Sequence, residues 1–266
     1  MAERILLAVH AHPDDECIGT GGVLARYAAD GARTIVVTCT DGAVGEISDP
    51  SLATPTNLAE VRARELDEAL RILRVSRSVR LGYRDSGMAG TPDNDHAASF
   101  NRADFNGAVE RVAAVLREEQ PHVVITYDEN GGYGHPDHIR THQVAVAAFR
   151  RVGEPAAKLY YSVFPRSSAA QFMQRLRAAG IEPPWGEEDA PPDFGVPDER
   201  ITTVVDVSAY IDVKRAALEA HRTQMGPDQF FLRLPADLFA EAFGRESFQR
   251  VAGPGPEREM DLFEGL

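Results

Sequence analysis

Two short stretches gather most of the side chains that could do chemistry. "AHPDDE" (11–16) sets His12 close to three consecutive carboxylates, Asp14, Asp15 and Glu16. "DENGGYGHPDH" (128–138) supplies Asp128, Glu129, His135, Asp137 and His138. Buried carboxylates repel one another and lose hydration, so imidazoles and carboxylates gathered in a dry crevice call for a cation. Two imidazoles and one carboxylate make a catalytic zinc set with a fourth position open, and Fe2+ accepts the same donors. His12 and Asp15, three apart in a turn, can aim at one point, whereas Asp14 must aim beside it. There Asp14 could face an attacking water as a general base. His138 falls in a first helical turn behind Pro136. His135 precedes that proline and must be extended, so its ring points elsewhere and suits an oxyanion or a leaving group.

The elements that would position these residues read as alternating strands and helices. Apolar, β-branched runs at 5–9, 34–39, 79–81, 123–127, 159–164 and 202–207 are expected strands. Helical spacing marks 21–29, 57–73, 105–119, 136–151, 171–179 and 211–223. Asn57 is an expected N-cap, with Glu60 three residues on. Such alternation implies right-handed βαβ units and a largely parallel sheet covered on both faces. In these sheets ligands bind beyond the carboxyl ends of the strands, where the strand order reverses. An order of the 3-2-1-4-5 type would bring the loop after 5–9 face to face with the loop after 123–127. The polar loop "GYRDSGMAGTPDNDHAASFN" (82–101) is long for a compact domain and draws functional suspicion.

Composition narrows the classes. The chain has 266 residues and a formal net charge of −13, which disfavours a nucleic-acid partner, since phosphate binding needs a basic footprint. Cys17 and Cys39 form no disulfide framework, and no run suits a secretory leader or a membrane span. A cytoplasmic protein without membrane partner is expected; its oligomeric state is open. A dinucleotide-binding dehydrogenase is the rival, from Gly19-Thr20-Gly21-Gly22 and Asp41. Those glycines come too late after the strand, and pyrophosphate would meet carboxylates, so Gly21 and Gly22 read better as close helix packing. By pattern alone Cys17 is a small buried hydrophobe and Cys39 strand core. Arg62, with Arg64 and Glu65, reads as a solvated ion-pair face, Tyr133 as a loop aromatic, and His221 as a cation favouring a helix end.

With both motifs in place, the sequence resembles the LmbE-like (PIG-L) zinc-dependent N-deacetylases. The likeness extends to "TCTDGAVGE" (38–46), "GYRDSGMAGT" (82–91) and "DVSAYIDVKRAALEAHRTQ" (206–224), which are similar to the actinobacterial, mycothiol-pathway branch. It implies a Rossmann-like three-layer α/β fold in one domain, 1–266. The core would take about 1–165, a C-terminal elaboration about 166–252 and a loose tail 253–266. It further implies that His12, Asp15 and His138 hold Zn2+ (or Fe2+), that Asp14 is the general base, that His135 is the electrostatic stabiliser and general acid, and that Tyr133 reaches the scissile carbonyl. Arg62, Asp85 and Glu46 would touch a small N-acylated amino-sugar substrate. The implied reaction removes an acetyl group from N-acetylglucosaminyl-inositol. "CIGTGG" (17–22) lacks the lysine of the mycothiol S-conjugate amidases and "RDSGMAGT" (84–91) sides with the deacetylases, whereas "HRTQMGPDQFFLRLP" (221–235) is similar to the amidases. Amidase action, or deacetylation of an antibiotic precursor, therefore stands as the alternative.

Overall fold

A computed structural model describes residues 3–153, 158–181, 195–226 and 229–266. Its strands are β1 (Ile5–His10), β2 (Arg33–Thr40), β3 (Arg77–Tyr83), β4 (Val123–Tyr127), β5 (Lys158–Val163), β6 (Thr203–Asp206) and β7 (Arg245–Ala252). The helices are α1 (Asp15–Gly19), α2 (Gly21–Ala29), α3 (Leu58–Ile72), α4 (Phe105–Glu119), α5 (Pro136–Val152), α6 (Arg166–Ala178), α7 (Ile211–Ala220), α8 (Phe230–Arg233) and α9 (Ala236–Phe243). The strands form one sheet in the order β3-β2-β1-β4-β5-β7-β6. From β3 to β5 every pairing is parallel; β7 runs antiparallel to both β5 and β6. The expected 3-2-1-4-5 order is present, extended by two strands.

Strand side chains alternate between faces, and here both faces are buried, as parallel sheets require. Leu6 and Ala8 of β1, Val36 of β2 and Ile125 of β4 pack against Leu24 of α2, Leu66 of α3 and Leu218 of α7. Leu7, Val9, Val37 and Val124 face the other way, onto Val109 and Val112 of α4 and Val144 of α5. Helix α2 lies unusually close to the sheet's far end. A Cβ on Gly22 would stand 2.4 Å from Val207 Cγ2, so this glycine serves close packing, as its position after the first turn suggested. The amides of Gly22 and Val23 donate to the two oxygens of Glu246 at 2.7 and 2.8 Å, and Lys214 Nζ lies 2.7 Å from the same carboxylate. That buried pair ties the start of α2 to β7 and α7.

Three expectations need correction. The stretch 253–266 is no loose tail. Leu262 and Phe263 are buried and pack in the core beside Tyr27, and Glu259 accepts from Lys158 Nζ, Tyr160 Oη and Thr203 Oγ1 at 2.7–2.8 Å. β7 escaped the pattern because its charged residues, "RESFQRVA", interrupt the apolar run; antiparallel pairing tolerates this, since one face meets water. Helix α7 ends at Ala220, short of the expected 223, and α6 starts earlier than expected, at Arg166. Of the Pro- and acid-rich stretch 182–199, which by composition reads as a surface excursion, residues 182–194 lie outside the described residues.

Candidate active site

The two motif loops leave the carboxyl ends of β1 and β4, which are neighbours in the sheet, Leu6 opposite Val123. After β1 the chain turns sharply into α1, and the turn is made at Asp14, with φ 125° and ψ −29°. A positive φ at a non-glycine residue costs about 1–3 kcal/mol and persists only when its surroundings hold it. The Asp14 amide donates to Glu16 Oε2 at 3.0 Å, and Asp14 Oδ2 lies 3.1 Å from Arg62 Nη2. Arg62 also donates to the carbonyls of Gly42 and Pro13. It is 2% exposed, so the solvated ion-pair face read from its spacing is corrected: its guanidinium is buried behind Asp14.

Three side chains converge beside this turn. His12 Nδ1 lies 3.2 Å from His138 Nε2 and 3.3 Å from Asp15 Oδ2, and His138 Nε2 lies 3.3 Å from Asp15 Oδ1. The outer ring nitrogens assign the tautomers. His138 Nδ1 faces the Gly131 carbonyl at 3.0 Å, and His12 Nε2 faces Asp137 Oδ2 at 3.3 Å. Both partners only accept, so with a cation bound the protons would sit on those outer nitrogens and the lone pairs of His12 Nδ1 and His138 Nε2 would point inward. Donors about 2.0–2.1 Å from a tetrahedral zinc stand about 3.3–3.4 Å from one another, close to the 3.2 Å between the two histidine nitrogens and the 3.3 Å from each to one or other oxygen of Asp15. Ligand atoms of His12, His135 and His138, and those of His12, Asp85 and Asp137, also lie within 4.8 Å of one another. Gly131 is needed for this geometry. At φ 64°, a Cβ there would meet His138 Cβ at 2.6 Å.

A supporting tier, which the motifs did not reveal, orients these donors. Tyr127 Oη donates to Asp15 Oδ2 at 2.8 Å, and its ring stacks on His138 with centroids 4.3 Å apart. The His12 amide donates to the same Asp15 oxygen at 2.7 Å. Asp137 is fully buried and accepts from Ser86 N at 2.8 Å and from Ser86 Oγ. The signal for Tyr127 was its place at the carboxyl end of β4; Asp137 stood between the two histidines without an assigned job. Such outer partners fix ring orientation and raise ligand basicity.

The remaining expected residues fall into two groups. Burial and the charge of Asp15 push the Asp14 carboxyl up to about 6 against the pull of Arg62. His135 is extended, at φ −63° and ψ 130°, and its Nδ1 accepts the Asp137 amide at 3.1 Å. Burial, then the neighbouring His12 and His138, lowers its pKa to about 4, so it is neutral with Nε2–H free to donate. Its ring centroid is 4.6 Å from that of His12. Tyr133 is 56% exposed, with its ring 4.9 Å from His138. Asp85 is buried, with Oδ1 3.7 Å from His12 Nε2. Glu46 is exposed, and the contact it makes is through its carbonyl, which accepts from Gln224 Nε2 at 2.9 Å. Asp128 and Glu129 turn away from the donor triangle: Asp128 accepts the Gly132 amide and Glu129 pairs with Arg200. Cys17 and Cys39 are both free and buried.

The profile of the PIG-L family, GlcNAc-PI de-N-acetylase, matches residues 7–149, which hold both motif loops. The chain belongs to the PIG-L family. It is 45% identical over 278 residues to the 1D-myo-inositol 2-acetamido-2-deoxy-alpha-D-glucopyranoside deacetylase of Acidothermus cellulolyticus, covering 99% of this chain and 95% of that one. The enzyme of that name from Saccharomonospora viridis is 45% identical over 274 residues, covering 98% and 100%. Among solved structures, an N,N'-diacetylchitobiose deacetylase from Pyrococcus horikoshii superposes with a TM-score of 0.62 at 26% identity, covering 95% of this chain and 85% of that one. A 4-carboxy-2-hydroxymuconate hydratase from Pseudomonas putida has a TM-score of 0.59 at 19% identity, with coverages of 95% and 98%. That likeness speaks for the fold alone.

Proposed function

We propose that this protein is a zinc-dependent N-deacetylase that hydrolyses the acetamide of N-acetylglucosaminyl-inositol. His12, Asp15 and His138 would hold the cation. The observation that carries the reading is the meeting, beside Asp14, of two histidine nitrogens 3.2 Å apart, each 3.3 Å from an oxygen of Asp15. The substrate rests on relatives 45% identical across nearly the whole chain, whose names specify that glycoside. The free, buried cysteines suit a cytoplasmic setting, and no helix among the described residues is long and apolar enough to cross a membrane. The sheet draws strands from residue 5 to residue 252, which supports reading the chain as one domain.

A bound divalent cation polarises the amide carbonyl and acidifies water. Asp14, held by Arg62 on one oxygen, takes the proton of the attacking water and returns it to the amine as the C–N bond breaks. His135 donates from Nε2 toward the oxygen on which negative charge develops, because its Nδ1 is fixed by the Asp137 amide. Tyr133, exposed at the rim with its ring against His138, is placed to meet that oxygen from the solvent side. Asp85 lines the wall beside His12, where a sugar hydroxyl can reach it. Arg62 acts from behind Asp14, and Glu46 stands farther out on its loop. Amine release should be assayed side by side on N-acetylglucosaminyl-inositol, a mycothiol S-conjugate and N-acetylglucosamine. The first should be cleaved fastest. Preference for the S-conjugate would overturn the substrate, and no release from any of the three would overturn the deacetylase reading.

A further inference from the structure

His221 follows α7, far from the motif loops in sequence, yet it is buried against the turn that carries Asp14. Its Nε2 lies 2.7 Å from Glu16 Oε1. Glu16, also fully buried, accepts the Asp14 amide on its other oxygen at 3.0 Å. The result is a relay of hydrogen bonds from imidazole to carboxylate to the peptide at φ 125°. Among the described residues, nothing else of comparable strength orients that carboxylate. Cys17 Sγ also donates to Glu16 Oε1, at 3.0 Å, but a thiol is a weak donor. The bond to Glu16 is the one hydrogen bond of the His221 ring among the described residues, since its buried Nδ1 has no partner there. An imidazole placed for folding alone would be expected to use both nitrogens.

The residues after His221 are fastened elsewhere. Thr223 donates from its amide and hydroxyl to the two oxygens of Glu65, at 2.8 and 2.6 Å. Its carbonyl accepts the Ser48 amide at 2.9 Å. The same segment therefore offers one contact on the Asp14 turn and another that leaves the turn untouched.

We propose that His221 is a positioning residue, which through Glu16 holds the Asp14 peptide in the conformation that aims its carboxylate into the site. The inference rests on the deacetylase reading, in which Asp14 is the base. A strained backbone conformation persists only when over-determined, and small misplacement of a catalytic group costs up to about a hundredfold in rate. Two variants of similar volume separate the bond from the space it fills. His221→Gln can still donate to Glu16, and His221→Met cannot; Thr223→Val releases the neighbouring contact as a control.

Two readouts are needed: kcat and KM for N-acetylglucosaminyl-inositol, and exchange of the Asp14 amide hydrogen by NMR, with and without added Zn2+. His221→Met should lose about tenfold in kcat with little change in KM, and its Asp14 amide should exchange about tenfold faster. His221→Gln and Thr223→Val should stay close to the parent in both. Unchanged exchange and kcat in His221→Met would overturn the proposal. So would an equal loss in His221→Gln or Thr223→Val, or a His221→Met protein that unfolds while His221→Gln folds, since each assigns His221 to packing or folding rather than to positioning Asp14. If the parent protein itself releases no amine, the deacetylase reading has failed, and amide exchange alone then decides the positioning role.

Discussion

Replacing Asp137 by asparagine tests whether the donor triangle is held from behind. The Asp137 carboxylate takes Ser86 N at 2.8 Å, His12 Nε2 at 3.3 Å and the Ser86 hydroxyl, three donors on two oxygens. An asparagine keeps the shape but offers one oxygen and one NH2. With its oxygen toward Ser86 N and His12, the NH2 meets Ser86 Oγ, which already accepts the Asn101 amide at 2.9 Å. The serine hydroxyl can accept again, but its own proton then has no acceptor. The variant loses charge assistance on His12 and strands one buried donor, a cost of about 1–3 kcal/mol. Loss of an outer partner of a ligating histidine weakens metal binding about 10- to 100-fold. Competition against a chromophoric chelator measures the Zn2+ affinity of Asp137→Asn and of the parent, and thermal melts of the metal-free proteins separate folding from binding. Equal Zn2+ affinity in both folded proteins would refute the reasoning.

Three further outcomes follow from the same geometry. Asp14→Ala should bind Zn2+ as tightly as the parent and lose about 10²- to 10⁴-fold in kcat, whereas His12→Ala should lose both; metal analysis beside a rate assay distinguishes them. Glu246→Gln leaves Lys214 buried without its counter-charge, and should destabilise by about 3–5 kcal/mol in urea melts. Full stability would mean that the pair at the start of α2 contributes little. Burial raises the Glu259 carboxyl, but hydrogen bonds from Lys158, Thr203 and Tyr160 outweigh it and hold its pKa below the ordinary value. A depressed folded pKa contributes stability that is complete above the unfolded value of about 4.3 and is lost as pH falls through the folded one. Glu259→Gln should therefore be less stable than the parent at pH 7, with the gap narrowing below about pH 4; a gap constant from pH 7 to pH 3 would contradict this.

The sequence by itself determined the parallel core and the chemistry at its edge. Most of those strands are contiguous apolar runs, β3 with Arg77 and Arg80 being the exception, and each motif loop follows such a run directly, so local pattern places both. His12, Asp15 and His138 converge because β1 and β4 are neighbours at the reversal of strand order, a rule of α/β sheets readable from alternation alone. Tertiary structure decided what pattern cannot carry. Glu16 and His221 are 205 residues apart, and nothing near either one announces the other. Their meeting depends on α7 packing beside α1, and it turned a helix-end histidine into a partner of the turn that carries Asp14. Arg62 sits on an amphipathic helix whose spacing suits solvent, yet the fold sinks its guanidinium behind Asp14. β7 and the final residues, polar or Gly- and Pro-rich in sequence, become ordered by pairing with β5 and β6 and by burying Leu262 and Phe263. Periodicity reports which way one segment faces; which distant segment it then meets is fixed by the packing of the whole chain.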